Sequence, residues 1–342
     1  MARTQGVPVA VATGATEDAA TGDETPPRAG WNVRAGALLA AGAALLSVAA
    51  AGATPTPPKI AGCQVFPATN AWNQRVDQLP VAAESATMIA SIGNSGVHAD
   101  FGSGLWDGSR IGIPYTVVHG KSTPKSRLHF EYADESDKGP YPIPANVPVE
   151  GQPSTSSGGD RHALIVDRDS CKLYELYALQ RTASGWTAGS GAIFDLRSNK
   201  VRPAGWTSAD AAGLPILPGL ARWDGDASTG VIRHALRFTV ERTRKAYVYP
   251  ARHYASSSTD PSLPPMGLRV RLKASVDISH LPRQARIVAQ AMKTYGMILA
   301  DNGSNWYVSG APSPRWSNDQ LHALGALHGS DFEVVDTSGL RP

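Results

Sequence analysis

The sequence predicts a mainly β domain of the α+β class, an antiparallel β-sandwich or jelly-roll-like fold with a few helices near its C-terminus. Short runs of β-branched and aromatic residues recur along the chain, and most of them are joined by short turns. The 34 glycines and 26 prolines lie mostly in those turns. Helical spacing is confined to a few segments. Strands therefore outnumber helices, which favours packed antiparallel sheets.

The first predicted elements are one helix and two strands. Apolar residues recur at helical spacing over Ala82–Ile92. Two runs rich in β-branched and aromatic residues, Gly112–Val118 and Arg127–Tyr132, are bounded by glycine or proline and predict strands. The stretch Tyr141–Gly159 is rich in Pro, Gly and Ser, which predicts a loop.

Two hairpins are predicted in the middle of the chain. The runs His162–Asp167 and Lys172–Tyr177 are separated by a short polar turn that precedes Cys171. The second hairpin pairs Arg233–Val240 with Ala246–Tyr249 across a charged turn. Both pairs of runs predict antiparallel strands.

The C-terminal third predicts a mixture of strands and helices. Leu268–Lys273 alternates strictly, which predicts a strand with one buried face and one basic, solvated face. Apolar residues at helical spacing predict a helix over Arg283–Tyr295, ended by Gly296. The remaining elements are a closing hairpin, a helix and an edge strand: Met297–Ala300 with Trp306–Val308, Asn318–Leu327 and Phe332–Val335.

The N-terminal region predicts export. An uncharged run, Ala35–Ala53, follows Arg34 and ends in small residues, as the apolar core of a signal peptide does. Its length also allows a membrane anchor. We therefore divide the chain into a disordered leader (1–34), a signal peptide or anchor (35–53), a linker (54–62) and one secreted globular domain (63–342).

The two cysteines indicate an oxidising compartment. Cys63 and Cys171 predict one structural disulfide, because a chain of 342 residues with only these two does not suggest a metal site. The alternative is a lipobox at Ile60–Cys63, which would make Cys63 the lipid-bearing residue of a lipoprotein. Both alternatives predict a secreted, periplasmic or otherwise extracytoplasmic protein.

The charge balance argues against a nucleic-acid partner. The formal net charge is +3, and no long block of Lys or Arg is present. We expect a monomer. Tyr132–Asp137 contains three carboxylates, but it lacks the spacing of an EF-hand loop, so a solvated acidic turn is favoured over a calcium site.

No strong catalytic motif is present: the sequence has no Walker loop, no His-Glu-x-x-His, no Gly-x-Ser-x-Gly and no Cys-x-x-Cys. Histidine near a carboxylate can act as a general base, and arginine can bind a carboxylate or stabilise developing negative charge. Three histidines each follow an arginine, and two aspartates lie in or near apolar segments. The candidate catalytic residues are thus His162, His234, His253, Asp195, Asp210 and Arg252.

Each candidate also has a structural interpretation. The histidines suit strand ends, and Asp210 suits the N-cap of a short helical turn. Three of the nine histidines could bind zinc or copper, but this pattern is weak, so no cofactor is predicted.

Aromatic residues favour a carbohydrate ligand, because their flat faces stack on sugar rings and exported all-β proteins often act on polysaccharides. The predicted substrate-binding residues are Trp206, Tyr254, Asp301 and Asn302. The predicted function is a secreted polysaccharide hydrolase or lyase with His/Asp acid–base chemistry. The alternative is a noncatalytic envelope or glycan-binding protein. In either case the partner is a polysaccharide or cell-envelope glycan.

The sequence resembles a family of uncharacterised secreted proteins found mainly in bacteria, over nearly all of Cys63–Thr337. The resemblance is carried by Trp72-Asn73, Tyr132–Asp137 followed by Gly139–Pro144, Gly159–His162, Gly205–Pro215, Tyr295–Met297 and Ala300–Gly303. It implies a single secreted domain and no particular activity.

Overall fold

The computed structural model describes residues 56–154 and 159–340. The predicted leader and the signal peptide or anchor at 35–53 lie outside the described residues. Within the described ranges, no helix has the length and apolar character needed to cross a membrane.

The described residues form short strands and few helices. The strands of the first half are β1 (Lys59–Ile60), β2 (Cys63–Gln64), β3 (His98–Asp100), β4 (Leu105–Trp106), β5 (Ser109–Arg110), β6 (Tyr115–Val118), β7 (Lys125–Ser126), β8 (His129–Phe130) and β9 (Tyr141–Pro142). Those of the second half are β10 (Ala163–Asp167), β11 (Lys172–Tyr177), β12 (Gln180–Thr182), β13 (Gly185–Ala188), β14 (Ser190–Asp195), β15 (Leu236–Val240), β16 (Arg269–Leu272), β17 (Met297–Asn302), β18 (Tyr307–Ser309) and β19 (Phe332–Val334). The helices are α1 (Ser85–Ile92), α2 (Arg283–Thr294) and α3 (Asn318–His322).

The mainly β class with few helices is confirmed, whereas the sandwich or jelly roll is not. Several parallel pairings interrupt the antiparallel pattern, so the larger sheets are mixed: β6 with β10, β8 with β13, β15 with β17 and β3 with β18.

A four-stranded sheet has the order β14–β11–β10–β6. Its centre is the hairpin of β10 and β11, which confirms the first predicted hairpin. Every residue of β10 is buried, because both faces of this strand are covered. Such a strand carries a continuous apolar run rather than an alternating one.

A six-stranded sheet has the order β19–β16–β17–β15–β18–β3. The second predicted hairpin is wrong, because β15 pairs with β17 in parallel and with β18 antiparallel, and 246–249 forms no strand. The predicted closing hairpin is wrong for the same reason: β15 lies between β17 and β18. Strand β19 is at the edge, as predicted.

The predicted solvated basic face of β16 is also wrong. The guanidinium of Arg269 is buried and donates to the backbone carbonyls of Ala71, Gln74 and Tyr295. Arg271 donates to the carboxylate of Glu333 at 2.7 Å. Carbonyl oxygens from distant loops replace the water that the strand pattern predicts around these side chains.

Helix α2 confirms its predicted range to within a residue and packs against β16. Its buried residues Ala285, Val288 and Met292 join the apolar core of the six-stranded sheet. Helices α1 and α3 fall within their predicted segments, and a 3₁₀ turn, Ala323–Ala326, continues α3.

The predicted disulfide between Cys63 and Cys171 is confirmed. It joins β2 to the residue before β11, and β2 pairs with Lys59–Ile60 of the predicted linker. A sulfur in a disulfide cannot carry a lipid, so the lipobox alternative does not apply to Cys63 in this form. The disulfide indicates an oxidising, extracytoplasmic location.

Candidate functional site

Four polar residues lie on one face of the six-stranded sheet. In register, Asp100 of β3 is opposite Ser309 of β18, and Val308 is opposite Phe238, which places Ser309 beside Arg237 of β15. Asp301 of β17 is opposite Thr239, two residues along the same strand as Arg237. Directly opposed residues share a face, as do residues two apart. The sheet thus presents Asp100, Ser309, Arg237 and Asp301 together.

Arg237 is the buried centre of this group. Its guanidinium holds both carboxylate oxygens of Asp210, at 2.8 and 3.0 Å. It also donates to Ser309 Oγ at 2.6 Å and to Asp301 Oδ2 at 3.2 Å. A planar guanidinium is suited to such a fork of acceptors. Arg237 therefore fixes the position of Asp301 relative to the Asp210 loop.

The loop that contains Asp210 is braced by its own polar groups. Ser208 accepts a hydrogen bond from the backbone N–H of Asp210 at 2.9 Å, and its hydroxyl lies 2.5 Å from the carbonyl of Leu214. The carbonyl of Ala209, one residue before Asp210, accepts a hydrogen bond from His162 Nε2 at 2.9 Å. This loop thus connects the Arg237 group with His162.

His162 precedes β10 and is buried, with 3% of its side chain exposed. Its Nδ1 lies 2.6 Å from Glu150 Oε2, and its Nε2 faces the Ala209 carbonyl. Both neighbours are acceptors, so both ring nitrogens carry a proton and the ring is an imidazolium. Burial lowers the pKa of His162, but the charge and hydrogen bond of Glu150 raise it to about 9.

Glu150 is held ionised by the same contact. Burial favours its neutral form, but the His162 imidazolium lowers the pKa of Glu150 below its ordinary value. The Glu150 side chain keeps 26% of its exposure, so this carboxylate contacts both the buried imidazolium and solvent.

Asp160 lies near the pair of Glu150 and His162. It is two residues before His162 in the chain and is exposed. Glu150, Asp160 and His162 each offer a ligand atom within 4.8 Å of the others, which is a set that could hold a cation. However, both nitrogens of His162 donate hydrogen bonds, so a metal would have to displace Glu150 or Ala209 from the ring. The contacts favour the ion pair over a metal ligand set.

Two further carboxyl groups have raised pKa values. Burial in the site and the charges of Asp210 and Asp160 raise the pKa of Asp301 to about 7, and they outweigh the opposing contact with Arg237. Loss of hydration, followed by the charges of Glu150 and Asp160, raises the pKa of Asp100 to about 6. Below about pH 7 the site therefore combines the ionised Glu150 with a protonated Asp301.

A groove of about 1110 Å³ is lined by chain neighbours of the site residues. Val149 and Arg161 line it, and they are the chain neighbours of Glu150 and of His162, respectively. Its other walls include the β4–β5 hairpin, the β12–β13 hairpin and the segment 312–314.

Of the predicted catalytic residues, the structure brings His162 and Asp210 into this site. His234 lies elsewhere: it is buried, with Nε2 at 3.2 Å from Asp226 and Nδ1 at 2.7 Å from the carbonyl of Ala235. Asp195 forms a surface ion pair with Arg197.

His253 and Arg252 contact the Asp210 loop through its backbone. His253 Nδ1 lies 2.7 Å from the carbonyl of Ala211, and the backbone N–H of Arg252 donates to the carbonyl of Ala212 at 2.9 Å. Trp206 stacks with Arg202, whose guanidinium lies 5.5 Å from the centre of its ring. These residues brace the loop.

Of the predicted substrate-binding residues, some lie in the site and others make structural contacts outside it. Asp301 is in the site. Asn302 accepts a hydrogen bond from Thr243 at 3.1 Å, and Tyr254 stacks on His253 with ring centres 5.6 Å apart. The acidic segment 132–137 also braces the loop, because Asp137 pairs with Arg202 at 2.7 Å.

Sequence reasoning missed Asp100, Glu150, Asp160 and Arg237 as site residues. One signal was available: Arg237 is a charged residue between the apolar Leu236 and Phe238.

Comparison with known proteins adds no assignment. No protein-family model, no curated protein and no solved structure matches the chain. The family resemblance given by the sequence stays a prediction.

Proposed function

We propose that this protein is an extracytoplasmic glycoside hydrolase that cleaves a polysaccharide or cell-envelope glycan. One observation carries the proposal: Glu150 is held ionised by a buried imidazolium, while Asp301 nearby is held protonated to about pH 7. Glycoside hydrolysis needs one carboxylic acid and one carboxylate in the same cleft. Environments that push two carboxyl pKa values apart provide that pair.

In this proposal Asp301 protonates the glycosidic oxygen and Glu150 acts at the anomeric carbon, either as nucleophile or through a water. Asp160 adds negative charge near the oxocarbenium-like transition state. His162 and Arg237 are positioning residues. His162 orients and ionises Glu150, and Arg237 holds Asp301 against Asp210.

Hydrolysis is favoured over the predicted lyase alternative by the state of His162. A lyase needs a base with a free lone pair, but both nitrogens of His162 donate to acceptors. Tyr177, whose ring lies 5.8 Å from that of His162, has a raised pKa because of burial, so its phenol stays protonated. Among the described residues of the site, the carboxyl groups are the remaining acid–base groups.

Two finer structural points belong to this proposal. We infer that the protein acts in the periplasm or outside the cell, as its disulfide suggests. We also infer that the four- and six-stranded sheets form the two layers of a sandwich. This inference is supported by one apolar core that contains Leu164 and Val166 of β10 together with Leu236 and Phe238 of β15.

The test is an activity screen of the purified protein on neutral and uronate-containing polysaccharides. Reducing ends and the ultraviolet absorbance of unsaturated products are followed together. We expect reducing ends without unsaturated products, and a loss of about 10³-fold in kcat for Asp301→Asn. Asp195→Asn is the matched control, because it makes the same change in a surface ion pair.

Three outcomes would overturn the proposal. Unsaturated products would show a lyase. Equal loss of activity in both variants would remove Asp301 from the chemistry. Retention on an insoluble glycan without any cleavage would favour the noncatalytic glycan-binding alternative.

A further inference from the structure

The groove lined by Val149 and Arg161 is basic. Arg110, Arg161 and Arg181 line it, and no Asp or Glu is among its described lining residues. None of the three arginines forms an ion pair within the described part of the chain. The neighbouring site contains carboxyl groups instead, among them the ionised Glu150 and the exposed Asp160. A sharp change of charge therefore separates the groove from the site.

The arginines are placed by two short hairpins and one strained residue. Arg110 is directly opposite Leu105 in the β4–β5 hairpin, so both side chains share the face that lines the groove. Arg181 is opposite Trp186 in the β12–β13 hairpin, and its guanidinium lies 5.6 Å from the centre of that ring. Arg161 has φ +50 and donates to the carbonyl of Leu179.

We propose that this groove binds a glycan chain that bears carboxylate groups, so that the substrate class of the hydrolase is an acidic polysaccharide. The inference rests on the proposed function for its catalytic part, and on the groove alone for its binding part. Arginine binds carboxylates through paired, charge-assisted hydrogen bonds. Trp186 and Leu105 supply apolar area for the sugar rings between those charges.

The charge pattern explains how one chain can occupy both regions. Carboxylates of the glycan are attracted by three unpaired guanidinium groups in the groove and repelled by the acidic site. The chain is therefore held by sugar units that flank the scissile bond. A neutral glycan of the same shape would gain the apolar contacts but not the ionic ones.

Binding is measured by titration calorimetry with polygalacturonate and with its methyl-esterified form, which keeps the sugar and removes the charge. The Asp301→Asn protein is used so that no turnover occurs. We compare it with the same protein carrying R110A and R181A, and with a control carrying R168A and R286A. Arg168 and Arg286 are exposed and do not line the groove, so the control loses the same net charge.

We expect polygalacturonate to bind at least about tenfold more weakly when Arg110 and Arg181 are removed, and within about twofold of the parent in the control. Added salt should weaken binding to the parent protein, and the methyl-esterified polymer should bind all three proteins alike. Equal affinity for both polymers, or an equal loss in the control, would overturn the proposal.

The binding result and the catalytic result are separable. Arginine-dependent binding with no hydrolysis would contradict the hydrolase and leave the groove assignment standing. Hydrolysis of a neutral glycan that is unaffected by R110A and R181A would support the hydrolase and contradict the assignment of the groove.

Discussion

Two histidine–carboxylate pairs are buried within the described part of the chain, and they differ in what surrounds the carboxylate. In the cleft pair, His162 and Glu150, the carboxylate keeps 26% of its side-chain exposure and lies beside other carboxyl groups. In the sealed pair, His234 and Asp226, both side chains are almost fully buried and Arg222 is the third partner. The histidine contacts are nearly the same. Access to solvent and to further acids distinguishes the candidate site from the structural ion pair.

The largest expected effect comes from removing each carboxylate in turn. We expect Glu150→Gln to lower kcat about 10³-fold, because it removes the ionised oxygen facing the cleft. Asp226→Asn should leave kcat per folded molecule within about twofold, but lower the free energy of unfolding by about 3 to 5 kcal/mol, because Arg222 and His234 lose their buried anion. Initial rates and urea unfolding measure both. Equal losses of kcat in the two variants would contradict the distinction between a catalytic Glu150 and a structural Asp226.

A second difference concerns the arginine of each group. Arg237→Lys keeps the charge but cannot hold Asp210 bidentately together with Ser309 and Asp301, so we expect kcat to fall about 10²-fold. The weaker contact also raises the pKa of Asp301 further, so the alkaline limb of the pH–rate profile moves to higher pH. Arg222→Lys is the control, expected to change stability alone. If the alkaline limb lies at the same pH in Arg237→Lys as in the wild type, Arg237 has a structural role only.

The pH dependence of the rate should identify the acid. Activity requires Glu150 ionised and Asp301 protonated, so kcat should fall about tenfold per pH unit above about 7. The acidic limb should lie below pH 4.5, because the pKa of Glu150 is lowered from that value. We expect this alkaline limb to persist in Asp100→Asn and to vanish in Asp301→Asn. The converse pattern would assign the acid to Asp100.

The smallest effect is a pH dependence of stability. The pKa of His162 is raised from 6.5 to about 9 in the folded protein, so its imidazolium stabilises the fold fully below about pH 6.5. That contribution is lost as the pH rises through about 9. Urea unfolding of the wild type and His162→Gln should therefore converge between pH 6 and 9.5. His119→Gln, a change at an exposed histidine paired with Asp169, should show no such convergence.

Local pattern was sufficient for elements whose partners are close in sequence. The β10–β11 hairpin and helix α2 are determined by their own apolar spacing and a short turn, and both were predicted. The six-stranded sheet was not, because β15 is inserted between β17 and β18, which are separated from it by more than 50 residues. Nor could the pattern of β16 show that distant carbonyls would bury Arg269.

In the candidate site, too, local sequence pattern predicted some residues and missed those whose partners are distant in the chain. His162 and Asp210 were predicted because each occurs beside other polar residues in the sequence. Glu150 and Arg237 were missed, since one lies in a proline-rich loop and the other looks like the polar side of an alternating strand. Their role depends on a register and a loop packing that bring distant residues into contact.

The most direct test of the central claim is the crystal structure of Asp301→Asn bound to an oligosaccharide that the wild-type protein cleaves. We expect a glycosidic oxygen within hydrogen-bond distance of the side chain at position 301, with the anomeric carbon facing Glu150. Flanking sugars should lie in the groove beside Arg161. An oligosaccharide bound only elsewhere, for example on the exposed Trp106, with neither carboxyl position in contact, would contradict it.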